Sequence, residues 1–254
     1  MRARFPIVLA LVLGLFVLLP VTGVPGSGPK PVPTRMQTLD LDAIGLATGQ
    51  GMGPAQPTAS KSGVIETDPF GLVGLSWDTP PPEDSLVKVR VRQADGWTAW
   101  LPIPWHDDHG PDTGTPEAQQ VREGSDPLLT AESDAVQVWV QTPDGQAPAN
   151  TQVHLVDTDD VGIQQSDLSE AAAAPGMPKI VTRAQWGADE SQRNRDPSYC
   201  DAVKVGFVHH TVSSSTYTPE QATAQVRSLY AWYTEGLKYS DMAYNFLVDR
   251  FGTL

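Results

Sequence analysis

Val87-Lys88-Val89-Arg90-Val91-Arg92 alternates apolar with cationic residues, and Val136-Gln137-Val138-Trp139-Val140-Gln141 repeats the period of two with polar residues and one indole. Successive side chains on a strand leave opposite faces, so each stretch reads as a strand with one face in a core. Phe70 to Trp77, Trp97 to Pro102 and Thr151 to Val156 are further strand candidates, separated by Pro80-Pro81-Pro82, Asp95-Gly96 and Pro143-Asp144-Gly145. Several short strands without helical periodicity between them predict an antiparallel β-sandwich over residues 63–158. The polar stretch from His106 to Asp126 reads as a long surface loop.

Ahead of the sandwich, residues 24–62 are rich in Pro, Gly, Ser, Thr and Gln and read as a flexible leader. Residues 1–23 join Arg2 and Arg4 to an apolar run from Phe5 to Leu19, closed by Pro20 and small residues, which is the pattern of a secretory signal peptide. The run is shorter than the ~20 residues of a spanning helix, so the expectation is a secreted protein with no stable membrane insertion. Seventeen basic against 30 acidic residues give a net charge of -13, which disfavours nucleic acid and anionic membranes as partners. Cys200 is the only cysteine and reads as a free, buried thiol, the alternative being a partner in sequence absent here.

Beyond the sandwich, residues 159–178 read as a linker containing Ala171 to Ala174 and Pro175-Gly176-Met177-Pro178, and residues 179–254 as a mixed α/β segment. Val203 to His210 is a strand candidate. Thr218 caps a helix with Pro219 at its first position and Gln221 placed for a capping box, and the helix is expected to bury Ala222, Val226, Leu229, Tyr230, Tyr233 and Leu237. Tyr244 to Asp249 is the next strand, and Arg250-Phe251-Gly252 a turn. With only Thr253 and Leu254 left to return, the α/β domain is expected to be C-terminally truncated.

The strand ending in His209-His210-Thr211 carries the residues best suited to chemistry. Neutral imidazole is a good zinc ligand, but on a regular strand His209 and His210 face opposite ways, so one of them is the ligand candidate. Pattern alone leaves the choice open. Trp105-His106-Asp107-Asp108-His109 also holds potential ligands, in a stretch that reads as a solvated loop without a rigid element to fix them. Trp97, Trp100 and Trp139 suit either sugar stacking or packing, and packing is the commoner use of tryptophan in a small β-domain.

Arg183-Ala184-Gln185-Trp186-Gly187-Ala188, then Phe207-Val208-His209-His210-Thr211, then Asp241-Met242-Ala243-Tyr244-Asn245-Phe246 and Phe251-Gly252-Thr253 resemble, in order and spacing, the peptidoglycan-recognition-protein family, related to the zinc-dependent N-acetylmuramoyl-L-alanine amidases. The region before them, with Phe70-Gly71-Leu72-Val73-Gly74 and Trp97-Thr98-Ala99-Trp100, looks like the N-terminal module of secreted actinobacterial cell-wall amidases. The resemblance implies a partial α/β amidase domain after the sandwich, with peptidoglycan as partner and Zn2+ as cofactor. It implies His209 as a zinc ligand, Tyr244 as the active-site tyrosine, and His210 and Thr211 as substrate contacts. The bond cut in that family joins N-acetylmuramic acid to L-alanine of the stem peptide. Tyr233 and Tyr239 depart from the family pattern, and the remaining zinc ligands are expected beyond Leu254. The implied parent is therefore a peptidoglycan hydrolase and the present chain an inactive form of it, with a non-catalytic peptidoglycan-binding module as the alternative.

Overall fold

The computed structural model describes residues 30–50, 58–105, 110–111, 113–143, 147–158, 178–196, 199, 201–211 and 216–254. Ten antiparallel strands among them form one curled sheet. They are β1 (Thr34–Asp40), β2 (Leu46–Gln50), β3 (Thr58–Ser62), β4 (Ile65–Trp77), β5 (Leu86–Gln93), β6 (Gly96–Trp97), β7 (Leu101–Pro102), β8 (Glu123–Gly124), β9 (Leu128–Gln141) and β10 (Gln152–Thr158), with a short helix α1 (Leu41–Ile44) after β1. The expected alternation holds. Val87, Val89 and Val91 on β5 and Val136, Val138 and Val140 on β9 are buried, and the two strands pair with Val89 opposite Val138.

The long strands β4 and β9 turn one sheet into two layers. β10 pairs with β1 on one side and with Leu72–Ser76 of β4 on the other, while the C-terminal half of β9 pairs with β5 and β3. Between the layers β4 and β9 pair with each other, and register breaks between Glu66 and Phe70 and between Phe70 and Leu72 supply the bend. Val73, Leu75, Val153 and Leu155 from the first layer meet Val87, Val89, Val138 and Val140 from the second in one core. The architecture is a curled antiparallel half-barrel that fits the expected sandwich.

The leader reading is corrected over residues 34–50 and 58–62, which supply β1, α1, β2 and β3. Strand formation here rests on the ladder rather than on apolar side chains. Seven residues of β1 align with β10, and the Ser62 hydroxyl of β3 accepts the Val138 N–H at 2.9 Å. α1 is capped by Asp40, whose carboxylate accepts the Asp42 and Ala43 N–H groups. The expected signal peptide, most of the linker, Cys200 and the His106–His109 stretch lie outside the described residues.

The outer face of the first layer is covered by the C-terminal segment. Thr218 donates its backbone N–H to Gln221 Oε1 at 2.9 Å, and after one tight turn the helix α2 (Ala222–Ala231) runs into a wider π-helical turn, Trp232–Gly236. Leu229, Trp232, Tyr233 and Leu237 pack on Leu72 of β4 and Val156 of β10. Ala222 and Val226, expected in the core, are only half-buried. The strands expected at Val203–His210 and Tyr244–Asp249 are not formed: neither segment pairs with a strand among the described residues. Val203, Phe207 and Val208 are 92%, 88% and 103% exposed, so no covering layer supports the extended chain there. No helix among the described residues is long and apolar enough to cross a membrane.

Candidate functional site

His209, His210 and Tyr244 come together although their segments are not pleated into a sheet. The two imidazoles stack at 4.7 Å between centroids with 14° between planes, and the His209 ring lies 6.4 Å from that of Tyr244. This corrects the strand argument: opposite orientation requires a pleated backbone, and outside a ladder both rings turn to one side. The His210 carbonyl is the common acceptor. His209 Nδ1 approaches it at 2.5 Å, and the Tyr244 hydroxyl donates to it at 3.2 Å. A carbonyl partner assigns the proton to Nδ1, which makes Nε2 the nitrogen that carries the lone pair.

Tyr244 is held from behind. Its ring meets Tyr233 edge-on at 6.0 Å, and Tyr233 packs against Tyr239 at 5.4 Å. Burial first, and the neighbouring Tyr244 next, push the Tyr233 hydroxyl far above its ordinary range, and burial does the same to Tyr239. Both therefore stay protonated and act as supports. The helical pattern placed Tyr233 on the buried side of its helix, whereas Tyr239 stood out only as a departure from a family pattern. Tyr233 also reaches the core formed with Leu72 and Val156, so the sandwich face positions the tyrosine.

Beside Tyr244 lies a groove of about 350 Å³, walled by α2 residues Val226 and Leu229 and by Arg183, Thr211, Met242 and Val248. That is near the lower end of ligand-sized clefts. Thr211 and Tyr244 line it, while His209 and His210 lie outside its wall and exposed. Asn245, next to Tyr244, also lines it and is exposed.

The segment carrying Tyr244 is pinned by a four-member ion network. Asp241 receives Arg183 at 3.0 Å and Arg193 at 2.8 Å, and Glu190 receives Arg183 at 2.7 Å and Arg193 at 3.2 Å. The Arg183 guanidinium also lies 4.7 Å over the Tyr230 ring. Asp241→Asn is expected to lower stability by about 1 kcal/mol, because partly exposed pairs are worth little singly and more in a network. The loss should shrink in high salt; urea midpoints at low and high ionic strength check it.

Among the described residues no three His, Cys, Asp or Glu side chains are grouped so that they could hold a metal.

Comparison with known proteins finds one distant relative and one family. A stretch of 91 residues, 36% of the chain, is 31% identical to peptidoglycan recognition protein 4 of Homo sapiens. The chain spans 22% of that relative's length, so the relationship is distant and partial. No solved structure matches the chain. A family model described as Rv3811 N-terminal galactose-binding domain-like matches residues 29–172, more than half of the chain and all ten strands of the sheet. The chain belongs to the Rv3811 N-terminal galactose-binding domain-like family.

Proposed function

We propose that this protein is directed at peptidoglycan and receives the muramyl peptide at His209, His210, Thr211 and Tyr244. The observation that carries the reading is the convergence of the two imidazoles and the tyrosine beside an apolar groove. The partial likeness to a peptidoglycan recognition protein supports it. A stem peptide offers methyl groups to Val226 and Leu229 and amides to the hydroxyls of Thr211 and Tyr244. Titration of the chain with a soluble muropeptide is expected to show saturable binding, weakened about tenfold by Tyr244→Phe, the order of one hydrogen bond. Equal affinity of the two proteins would remove Tyr244 from the site.

A second reading is hydrolysis of the N-acetylmuramoyl–L-alanine amide in the manner of the zinc amidases. It is favoured by the His209 tautomer, which leaves the lone pair on Nε2, and by a hydroxyl on Tyr244 suited to hydrogen-bonding a developing oxyanion. A catalytic zinc takes three protein ligands, and the described residues do not supply them. They do not fit the metal by themselves, and the role derived for them is recognition. Incubation with muropeptide and one equivalent of zinc is expected to release no stem peptide. Release abolished by His209→Ala, detected by mass spectrometry, would establish the amidase reading instead.

Export completes the proposal, on the strength of the charged and apolar pattern of residues 1–23. N-terminal sequencing of the protein from its native host is expected to begin after that stretch; recovery of Met1 would overturn it.

A further inference from the structure

We propose that the outer face of the second layer, built on β3, β5, β6 and β9, binds a glycan strand carrying a free carboxylate on alternate sugars. Lys61 and Lys88 both stand opposite Trp139 in the sheet register, one on each side. Two strand spacings place them about 10 Å apart along the sheet. Lys88 Nζ lies 5.0 Å over the Trp139 ring and Lys61 Nζ 5.5 Å over Trp100. Arg90 lies 5.0 Å from both Trp97 and Trp100 and is hydrogen-bonded to the neutral Gln137. The Trp100 and Trp139 rings meet at 5.9 Å. Cations and indoles therefore interleave across one face, with Trp139 buried beneath Lys88 and Trp100.

Charge distinguishes this face from ordinary packing. On a chain with net charge -13, Lys61, Lys88 and Arg90 have no carboxylate partner among the described residues. Arg92 on the same strand shows the contrast, being held by Glu66 and Asp134. Unneutralised cations here complement an acidic ligand, and the half-exposed rings of Trp97 and Trp100 offer apolar platforms to sugar rings. Nucleic acid carries denser charge than the acidic body of the protein tolerates. A glycan with one carboxylate per disaccharide matches two lysines flanking an indole. Such a strand is what remains when the peptide is removed from muramic acid, so the choice of this source rests on the reading proposed above.

The test is binding of the full chain to peptide-stripped peptidoglycan strands, with neutral chitin oligosaccharides and single-stranded DNA as competitors. Stripped strands are expected to bind with salt-sensitive affinity and to be displaced by neither competitor. The double variant Lys61→Gln/Lys88→Gln should bind at least tenfold more weakly at an unchanged melting temperature, Trp100→Ala should weaken binding similarly, and Lys61→Arg/Lys88→Arg should retain it. Full affinity in the glutamine variant, equal affinity for the neutral oligosaccharide, or preferential binding of DNA would each overturn the proposal. Muropeptide titration reports on the Tyr244 site separately. Its failure with stripped-strand binding intact would remove that reading and leave this one standing.

Discussion

Trp232→Ala is expected to lower stability by about 3–5 kcal/mol and to free the C-terminal segment from the sheet. The indole is fully buried against Leu72 and Val156, over a bed of glycines. A Cβ at Gly74 would stand 2.6 Å from the indole, one at Gly236 2.5 Å, and one at Gly124 3.4 Å from it and 2.3 Å from Leu237 Cδ2. Only hydrogen at these positions lets the ring lie on the sheet. Removing it leaves a hole bounded by backbone, which collapses poorly and so belongs at the costly end of the range. Gly74→Ala approaches the same contact from the other side and should cost about 1–3 kcal/mol by overpacking. Urea unfolding should show both losses, and limited proteolysis should cut first within residues 178–254. A loss under about 1 kcal/mol for Trp232→Ala would show that the helix is not seated on this face.

The parts of the fold legible in the sequence were those where burial writes a period. Val87, Val89 and Val91 with Val136, Val138 and Val140 announced two strands and the face they bury. Thr34–Asp40 and Thr58–Ser62 announced nothing, because they lie toward the sheet's edges and are held by backbone pairing and by single hydroxyls such as that of Ser62. The glycine bed was half visible. Gly74 inside a strand pattern marks close approach of another group, but the partner, Trp232, lies far along the chain. The site was legible in its membership and not in its geometry. His209 and Tyr244 were singled out together and are found together, whereas the opposed imidazoles were inferred from a pleat that the unpaired segment does not have. The helical period marked Tyr233 as buried but not as a support for Tyr244, and Tyr239 carried no periodic signal at all, since that role depends on a tertiary contact with the sandwich.

Stability is expected to fall as pH drops from about 6.5 toward 4, through His154, which lies under the same indole. The imidazole is 2% exposed, its ring 5.4 Å from Trp232, with Nδ1 3.2 Å from the Thr38 hydroxyl and Nε2 2.8 Å from that of Ser76. Arg122 Nε donates to Ser76 Oγ at 2.9 Å, so the serine proton is directed to Nε2 and the ring keeps its own proton on Nδ1. A second ring proton would meet a hydroxyl already receiving a guanidinium. Burial chiefly, with the charges of Arg122 and Lys238, lowers the His154 pKa from 6.5 to about 4. A depressed folded value means that the unfolded chain takes up the proton first. The stabilisation is complete above about pH 6.5 and drains away as pH falls toward 4, by up to about 3 kcal/mol, and little further loss from this group follows below that. Unfolding free energies across this window should slope in the native chain and flatten in His154→Gln, whose amide can satisfy Ser76 without titrating. Because Trp232 covers this imidazole and Tyr233 is the next residue, acid should loosen the support of Tyr244 before it unfolds the sandwich core. An equal slope in the two proteins would place the pH dependence elsewhere.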